Sequence, residues 1–259
     1  MRRSAPTIAR LGLLAALAAG SVACDDGAAA PPAGAAAGCA KKVLILVDEV
    51  PGGAAPLAVA LSAAGLQVTT SDVASSAYAG TPPLAGNAAP DAVVVLSGGQ
   101  PRTPHPDMPA EGQQAIVDFV AAGHGLVLTE WAAFHVAAEG TPRWQTLAPL
   151  VLLGRTGGHS GQVTYEVEPS YASHPIWAGL PAAFSFTSSS NVGRIHPAPG
   201  VARLARSPQV LDAVAIRDLP PAGRVVHLAH AGNHVVHGWT NVNLLRLVAN
   251  AVGWAARCD

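Results

Sequence analysis

Short apolar runs that alternate with helix-forming segments constrain the fold of this chain more than any other feature. The chain contains four largely apolar runs, each followed by a polar or small residue: "KVLILV", "AVVVL", "GLVL" and "RVVHL". Such runs are typical of parallel strands buried on both faces of a sheet. The segments "APLAVALSAAGL", "EGQQAIVDFVAAG" and "NVNLLRLVANAVGWAA" separate or follow them and have the pattern of helices. The alternation predicts an α/β fold with a doubly wound, mostly parallel sheet, whereas the strands in residues 150–220 cannot be ordered.

The first 23 residues have the pattern of a secretory signal peptide. Arg2 and Arg3 precede the apolar stretch "LGLLAALAAGSVA", and small residues come directly before Cys24. A cysteine directly after the cleavage point resembles the lipobox of bacterial lipoproteins, although Ser21 stands where that motif usually has leucine. The resemblance implies that Cys24 is lipidated. A plain signal peptide cleaved nearby, or a signal anchor, is the alternative.

The residues after the signal divide into a tether and a domain. Residues 24–40 predict a flexible tether, because they are rich in alanine, glycine and proline. Residues 41–259 are numerous enough for one α/β domain. Without residues 1–23, which carry three arginines, the chain has 12 basic and 16 acidic residues and no basic patch for nucleic acid. We expect an exported protein of the cell envelope that contacts the membrane through its lipid anchor only.

Two cysteines remain once Cys24 is assigned to the anchor. Cys39 precedes the first strand, and Cys258 ends the last helix. In the predicted topology that strand begins and that helix ends at the same edge of the sheet. An exported protein meets oxidising conditions, so the two cysteines are candidates for one disulfide bond. Two unpaired thiols are the alternative.

Ligands of open parallel sheets bind beyond the carboxyl ends of the strands. Asp48 and Glu49 follow the first predicted strand, and Gly98, Gly99 and Gln100 follow the third. These five residues are therefore candidates for ligand binding. Residues of these types also form ordinary turns and helix caps after strands.

Glu130 is the first candidate for catalysis. It ends the strand in "GLVLTEWAAF", at a sharp change from strand to helix beside small residues. Related α/β enzymes place their nucleophiles at such an elbow. A carboxylate there can act as a base or a metal ligand. A solvated loop glutamate is the alternative.

The segment "HLAHAGNHVVHGW" contains four histidines, of which two remain candidates for the site. Strand alternation separates His227 from His230. Only His230 is therefore expected to face the crevice beyond the carboxyl ends of the strands, and it is the second catalytic candidate. His234 follows in the loop as a ligand-binding candidate. Glu130, His230 and His234 together suit zinc, manganese or iron. The preferred interpretation has no metal or other cofactor, and His230 hydrogen-bonds a polar ligand.

Four segments together resemble the ThuA-like (trehalose utilisation) family. These are "AGHGLVLTEWAAF", "SHPIWAGLP", "GRVVHLAHAGNH" and "TNVNLLRLVANAVGWAA", and their order spans most of residues 41–256. The family belongs to the class I glutamine amidotransferase-like superfamily. The resemblance implies a flavodoxin-like fold, a carbohydrate-type small molecule as ligand, and a structural role for His174 as the cap of a turn.

The chain also departs from that superfamily. Glutamine amidotransferases need a cysteine nucleophile at the elbow, and no cysteine lies between Cys39 and Cys258. Glu130 stands where ThuA-like proteins tend to carry a histidine, and "FSFTSSSNV" lacks the tyrosine that tends to follow the "HP" segment. Thiol-based glutamine hydrolysis is therefore excluded.

Two functions remain open on these residues. The first is an envelope-anchored domain that binds or acts on a carbohydrate-type ligand at the strand carboxyl ends. The alternative is a non-catalytic binding or scaffold lipoprotein that has lost the ancestral site. The sequence leaves open whether the chain is an enzyme.

Overall fold

A nine-stranded sheet forms the centre of the fold in this computed structural model. The structure describes residues 40–48, 53–96, 107–137, 143–232 and 238–258, except the side chains of 190–192. All of them belong to the unit Pro31–Asp259. In chain order the strands are β1 Lys42–Val47, β2 Gln67–Ala74, β3 Ala92–Val95, β4 Gly125–Leu128, β5 Gly157–Val167, β6 Ala183–Val192, β7 Val201–Ser207, β8 Leu211–Arg217 and β9 Val225–Leu228. The α-helices are α1 Ala55–Ala63, α2 Ala110–Ala121, α3 Trp131–Ala137 and α4 Val242–Ala255.

The sheet has a parallel half and an antiparallel half, in the order β2-β1-β3-β4-β9-β8-β7-β5-β6. Strands β2, β1, β3, β4 and β9 pair in parallel. Strands β9, β8, β7, β5 and β6 pair antiparallel. The predicted α/β class is confirmed. The sheet is mixed because the region that the sequence left unordered adds four antiparallel strands.

The apolar runs form strands that are covered on both faces of the sheet. Every residue of β3, β4 and β9 is buried. Helix α4 packs against all three strands and against α1. Parallel strands need cover on both faces, since their apolar side chains alternate between the two. The continuous apolar runs thus reflect strands with no solvent-exposed face.

The segment "HPIWAGLP" is held against α4 by hydrogen bonds to its backbone. The Asn250 side chain donates to the carbonyl oxygens of Ile176 (3.1 Å) and Ala178 (2.9 Å). Arg246 donates to the carbonyl oxygen of Gly179 at 2.6 Å. The His174 ring accepts the backbone N–H of Ile176 at 3.3 Å. His174 therefore caps a turn, as predicted, and this segment has a structural role.

Strands β5 and β6 form a ribbon that reaches the carboxyl ends of the parallel strands. Strand β5 pairs with β7 only at Glu166 and Val167, and the rest of it pairs only with β6. The backbone N–H of Ala231, just after β9, donates to the carbonyl oxygen of Ser189 in β6 at 3.0 Å. Helix α3, which follows β4, also contacts β6. The ribbon thus lies beside the ends of β4 and β9.

The predicted leader, Cys24 and Cys39 lie outside the described residues. Cys258 is disulfide-bonded, and its pairing with Cys39 stays a prediction. Among the helices that the structure describes, none is both long enough and apolar enough to cross a membrane.

The contact between β4 and α4 predicts opposite effects for two glycine substitutions. A Cβ on Gly125 would overlap the carbonyl oxygen of Ala255, whereas a Cβ on Gly253 would have its nearest atom at 3.9 Å. We expect Gly125→Ala to lower the free energy of unfolding by about 1–3 kcal/mol through overpacking. Gly253→Ala, within α4, should leave it unchanged or raise it by about 0.5–1 kcal/mol. Urea unfolding of the two variants checks this, and equal stability would contradict the packing described.

Candidate functional site

Two buried carboxylates lie at the carboxyl edge of the parallel strands. The register aligns Leu46 of β1 with Val95 of β3, and Val95 with Leu128 of β4. Asp48 and Glu130 each follow two residues later, so both lie beyond the carboxyl ends of these strands. Asp48 is 5% exposed and Glu130 2% exposed. The other crevice residues predicted for ligand binding lie outside the described residues: Glu49, Gly98, Gly99, Gln100 and His234.

Glu130 occupies a tight turn between a strand and a helix. Strand β4 ends at Leu128 and α3 begins at Trp131. The Thr129 hydroxyl donates to the carbonyl oxygen of Val95 at 3.0 Å, which fixes the turn to β3. The backbone N–H of Glu130 donates to the carbonyl oxygen of His230 at 3.4 Å, which ties the turn to the end of β9. Because the side chain is buried, the alternative of a solvated loop glutamate is wrong.

The turn is sharp but its backbone is unstrained. Nucleophile elbows hold their residue in a strained conformation. The described non-glycine residues with positive φ are Trp144, Leu211 and Arg257, and Glu130 is not among them. The turn therefore keeps the position of an elbow without its backbone strain.

Tyr165 is a member of the site that sequence reasoning missed. It lies on β5, is fully buried, and packs its ring edge-on against Phe186 of β6 at 4.8 Å between centroids. Burial, and next the negative charge of Glu130, raise the pKa of its phenol. Its hydroxyl has no hydrogen-bond partner among the described residues. A neutral phenol donor thus lies near the Glu130 carboxylate. The alternation in "QVTYEV" could have indicated that Tyr165 shares a face with Val163.

His230 is held at both ring nitrogens. Its Nδ1 lies 2.8 Å from the Ser188 hydroxyl, and its Nε2 lies 2.9 Å from the carbonyl oxygen of Gly238. Since a carbonyl only accepts, Nε2 carries the proton and Nδ1 accepts from the hydroxyl. Phe186 and Trp239 enclose the ring edge-on. Burial lowers the pKa of His230 to about 4, although the hydrogen bond to Gly238 acts in the opposite direction.

The contact between Ser188 and His230 has the donor and acceptor of a catalytic serine–histidine pair. Both side chains are completely buried, and a histidine with a pKa of about 4 is a weak base at neutral pH. The geometry therefore assigns this contact the role of attaching the ribbon to the end of β9. A catalytic role for His230 stays a prediction. In the structure, His230 holds the segment after β9 against β6, and its carbonyl oxygen accepts the backbone N–H of Glu130.

His227, within β9, bonds with its ring to backbone groups of neighbouring segments. Its Nδ1 accepts the backbone N–H groups of Leu152 (3.2 Å) and Leu153 (3.1 Å). Its Nε2 donates to the carbonyl oxygen of Thr129 at 3.2 Å. Burial, partly opposed by the bond to Thr129, lowers the pKa of His227 to about 3. His227 thus joins three segments of backbone and remains neutral.

The metal set proposed from the sequence is only partly within the described residues. Among the described residues, no three histidine, cysteine, aspartate or glutamate side chains form a group that could hold a metal ion. His234 lies outside them, and His230 would have to give up one of its two hydrogen bonds to bind a metal. The set Glu130, His230 and His234 stays a prediction.

Similar folds occur among solved structures, although no protein-family model and no curated protein matches the chain. A protein of Parabacteroides merdae described as ThuA-like has 15% identity and a TM-score of 0.59, over 85% of this chain and 91% of that one. A ThuA-like protein of Bacteroides uniformis has 15% identity and a TM-score of 0.57, over 83% and 91%. A protein of Thermoplasma acidophilum described as belonging to GMP synthase has 15% identity and a TM-score of 0.52, over 85% and 96%.

These likenesses establish the fold of the chain. They identify an α/β protein with a glutamine amidotransferase-like fold. Within that class the chain has the fold of ThuA-like proteins, as the resemblance in the sequence predicted. An identity of 15% carries the fold alone, so the activity must be argued from the site.

The two buried histidines predict how stability depends on pH. Their folded-state pKa values are about 3 and about 4, against about 6.5 in the unfolded chain. Above pH 6.5 both states are neutral at these positions. Below pH 6.5 the unfolded state binds protons that the folded state does not, so stability falls toward pH 4. The slope approaches about 1.4 kcal/mol per pH unit for each histidine.

Urea unfolding between pH 5 and 8 measures that slope. His227→Gln should reduce the slope between pH 6.5 and 5 by up to about 1.4 kcal/mol per pH unit. It should also destabilise the protein by about 2–4 kcal/mol through its broken hydrogen bonds. His159→Gln on the exposed part of β5 is the matched control and should keep the full slope. An unchanged slope in His227→Gln would show that this ring titrates normally in the folded protein.

Proposed function

We propose that this chain is an envelope-anchored lipoprotein whose ThuA-like domain binds a carbohydrate-type small ligand at the carboxyl ends of its parallel strands. The observation that carries the proposal is the Glu130 carboxylate, which is 2% exposed at the end of the central strand β4. Burying a carboxylate is costly, so a buried carboxylate at a strand end is a candidate for a functional role. Glu130 is therefore the residue on which ligand binding depends.

Glu130 and Tyr165 supply complementary hydrogen-bonding groups for a sugar hydroxyl. The carboxylate accepts hydrogen bonds, and the phenol of Tyr165, neutral because its pKa is raised, donates one. One sugar hydroxyl can donate to the Glu130 carboxylate and accept from the Tyr165 phenol at the same time. The carbohydrate class itself comes from the resemblance to the trehalose-utilisation family, and this pair is compatible with it.

The strand order supports the finer description of the fold that we adopt, a doubly wound flavodoxin-like sheet. Counting β9 as the fifth parallel strand, the order is 2-1-3-4-5, which is the flavodoxin-like order. The right-handed crossover rule then places α1 and α2 on opposite faces, since β1 to β2 and β3 to β4 run in opposite directions across the sheet. In this order the ligand crevice lies between the ends of β1 and β3, beside Asp48.

Glutamine hydrolysis by a thiol is outside this proposal. Glu130 occupies the elbow position, and the chain has no cysteine between Cys39 and Cys258. A carboxylate at that position can accept a proton, so proton transfer to or from a bound sugar is the chemistry open to an enzyme here. Binding of a sugar without catalysis would use the same two side chains, Glu130 and Tyr165.

A scaffold lipoprotein is the second candidate, and one observation favours it. Tyr165 and His230 are fully buried, and Glu130 is nearly so. Such complete burial is also expected if the site has closed and no longer admits a ligand. Ligand binding distinguishes the two candidates directly.

The binding proposal predicts a loss of sugar affinity in two variants. Thermal unfolding of purified protein is measured with millimolar glucose, galactose, mannose, maltose and trehalose, and at least one should raise the Tm. Glu130→Gln, which keeps the shape and removes the charge, should weaken that sugar at least about 10-fold. Tyr165→Phe should weaken it about 3- to 10-fold and leave the sugar-free protein equally or more stable, because it removes a buried hydroxyl without a described partner.

Glu166→Gln is the matched control for charge. Glu166 lies next to Tyr165 on β5 but forms a surface ion pair with Arg206 at 3.1 Å. Its substitution should leave sugar binding unchanged. If no sugar shifts the Tm of the wild-type protein, the result contradicts the binding proposal and favours the scaffold. If Glu130→Gln binds a sugar as tightly as the wild type, the result contradicts the role proposed for Glu130.

The anchor predicts a specific dependence on Cys24. Cells supplied with an alkyne-bearing fatty acid should label the wild-type protein and retain it in the membrane fraction. Cys24→Ala removes the only thiol that follows the predicted cleavage point directly, so the label should be lost. Cys39→Ala is the matched control and should keep the label. Labelling of Cys24→Ala to the wild-type level would contradict the lipoprotein.

A further inference from the structure

An open cavity of about 410 Å³ lies against the free edge of the sheet, away from the strand ends that carry Glu130. Its floor is formed by the beginnings of β1 and β2, and its roof by the connection from β2 to β3. The size falls within the range of small-molecule pockets. The lining residues are Lys42, Leu44, Gln67, Val68, Thr69, Pro82, Pro83, Ala88 and Pro90.

The cavity arises because the connection from β2 to β3 contains no α-helix. Residues 75–91 consist of one turn of 3₁₀ helix followed by an irregular chain that contains Pro82, Pro83 and Pro90. A parallel sheet needs cover on both faces, and in this strand order a crossover helix would supply it here. The irregular chain covers β1 and β2 incompletely, which leaves room for a ligand.

The roof is fixed at both ends, so the cavity is preformed. The Tyr78 hydroxyl donates to the carbonyl oxygen of Pro82 at 2.9 Å. Leu84 is buried in the core. Asp91 accepts the backbone N–H of Lys42 on its carboxylate (2.8 Å) and donates its own backbone N–H to the carbonyl oxygen of Lys42 (2.8 Å). A preformed cavity lowers the entropic cost of binding.

The chemistry of the lining is divided into a cationic end and an apolar remainder. The register pairs Lys42 with Gln67 and Leu44 with Thr69 on neighbouring strands. Neighbouring strands lie about 4.8 Å apart, so the Lys42 ammonium and the Gln67 amide can both reach one bound group. Both groups donate hydrogen bonds. The roof residues and Leu44 are apolar, and proline rings offer flat faces to an apolar ligand.

The charge of Lys42 is open to a ligand. The nearby carboxylate of Asp91 is paired with the ammonium of Lys41 at 3.3 Å. Lys42 is exposed, and among the described residues its ammonium has no ion pair. Within the part of the chain that the structure describes, the cavity thus has one uncompensated positive charge, that of Lys42, with hydrogen-bond donors beside it.

We infer that this cavity binds a small apolar carboxylate, with the carboxylate on Lys42 and Gln67 and the apolar body under the proline-rich roof. The site is independent of the one proposed for carbohydrate. It belongs to this chain's own connection between β2 and β3, and it needs neither Glu130 nor the strand carboxyl ends.

Two-dimensional NMR titration of the purified protein with benzoate tests this inference. Benzoate should shift the backbone signals of β1, β2 and residues 82–90 in a saturable way, with a Kd of about 1 mM for so small a ligand. Benzylamine has the same apolar body and the opposite charge, and should not bind at this place. No saturable shift with benzoate, or equal binding of benzylamine, would overturn the inference.

Two pairs of variants separate the contributions of space and charge. Ala88→Phe should fill the cavity and abolish benzoate binding, whereas Ala85→Phe, on the same exposed loop but outside the lining, should not. Lys42→Gln should weaken binding about 5-fold, as for an exposed ion pair, and Lys42→Arg should restore most of it. Glu130→Gln should have no effect. Benzoate binding that survives Ala88→Phe with an unchanged spectrum elsewhere would place the ligand at another site and overturn the proposal.

Discussion

Strand β9 is the element on which the rest of this structure depends. It is hydrogen-bonded to β4 on one side in parallel and to β8 on the other side antiparallel, so both halves of the sheet meet on it. All four of its residues are buried. A buried strand between the parallel and antiparallel halves of a sheet needs its neighbours' backbone groups satisfied as well as its own. His227 meets this need by bonding the two N–H groups at Leu152 and Leu153 and the carbonyl oxygen of Thr129.

The same strand explains why the carboxyl edge is closed around Glu130. Two residues after β9 bond to the ribbon. The ring of His230 bonds to the Ser188 hydroxyl, and the N–H of Ala231 donates to the carbonyl oxygen of Ser189. These contacts draw β6 over the ends of β4 and β9, and β5 brings Tyr165 with it. The antiparallel half of the sheet therefore builds one wall of the site that the parallel half begins. The buried Glu130 carboxylate at the end of β4 lies near this wall, because its charge acts on the Tyr165 phenol.

How much of the fold and of the candidate site the sequence predicted depends on how far apart in the sequence the interacting residues lie. Continuous apolar runs report burial on both faces, so β1, β3, β4 and β9 were visible as patterns, and so was the sharp turn at Glu130. The ribbon was not, because "FSFTSSSNV" has the composition of a serine-rich loop and its pairing with β5 is a long-range property. Tyr165 and Ser188 were missed for that reason. His174 was expected to be a cap because its segment resembles the family's "HP" segment, and its partner, the N–H of Ile176, is two residues away.

The histidines show most clearly how environment decides the chemistry of a residue. "HLAHAGNH" suggests a metal or proton-transfer site, since neutral imidazole is the commonest metal ligand. In the folded chain His227 and His230 each use both ring nitrogens for hydrogen bonds, and burial keeps both rings neutral. Their partners are backbone groups at positions 129, 152, 153 and 238 and one serine hydroxyl, none of which a motif would contain. The two histidines of this segment thus serve to hold the sheet together, and the buried carboxylates at this edge are those of Asp48 and Glu130. A ligand site in this fold must accordingly be sought around those carboxylates, or where the sheet is incompletely covered at β1 and β2.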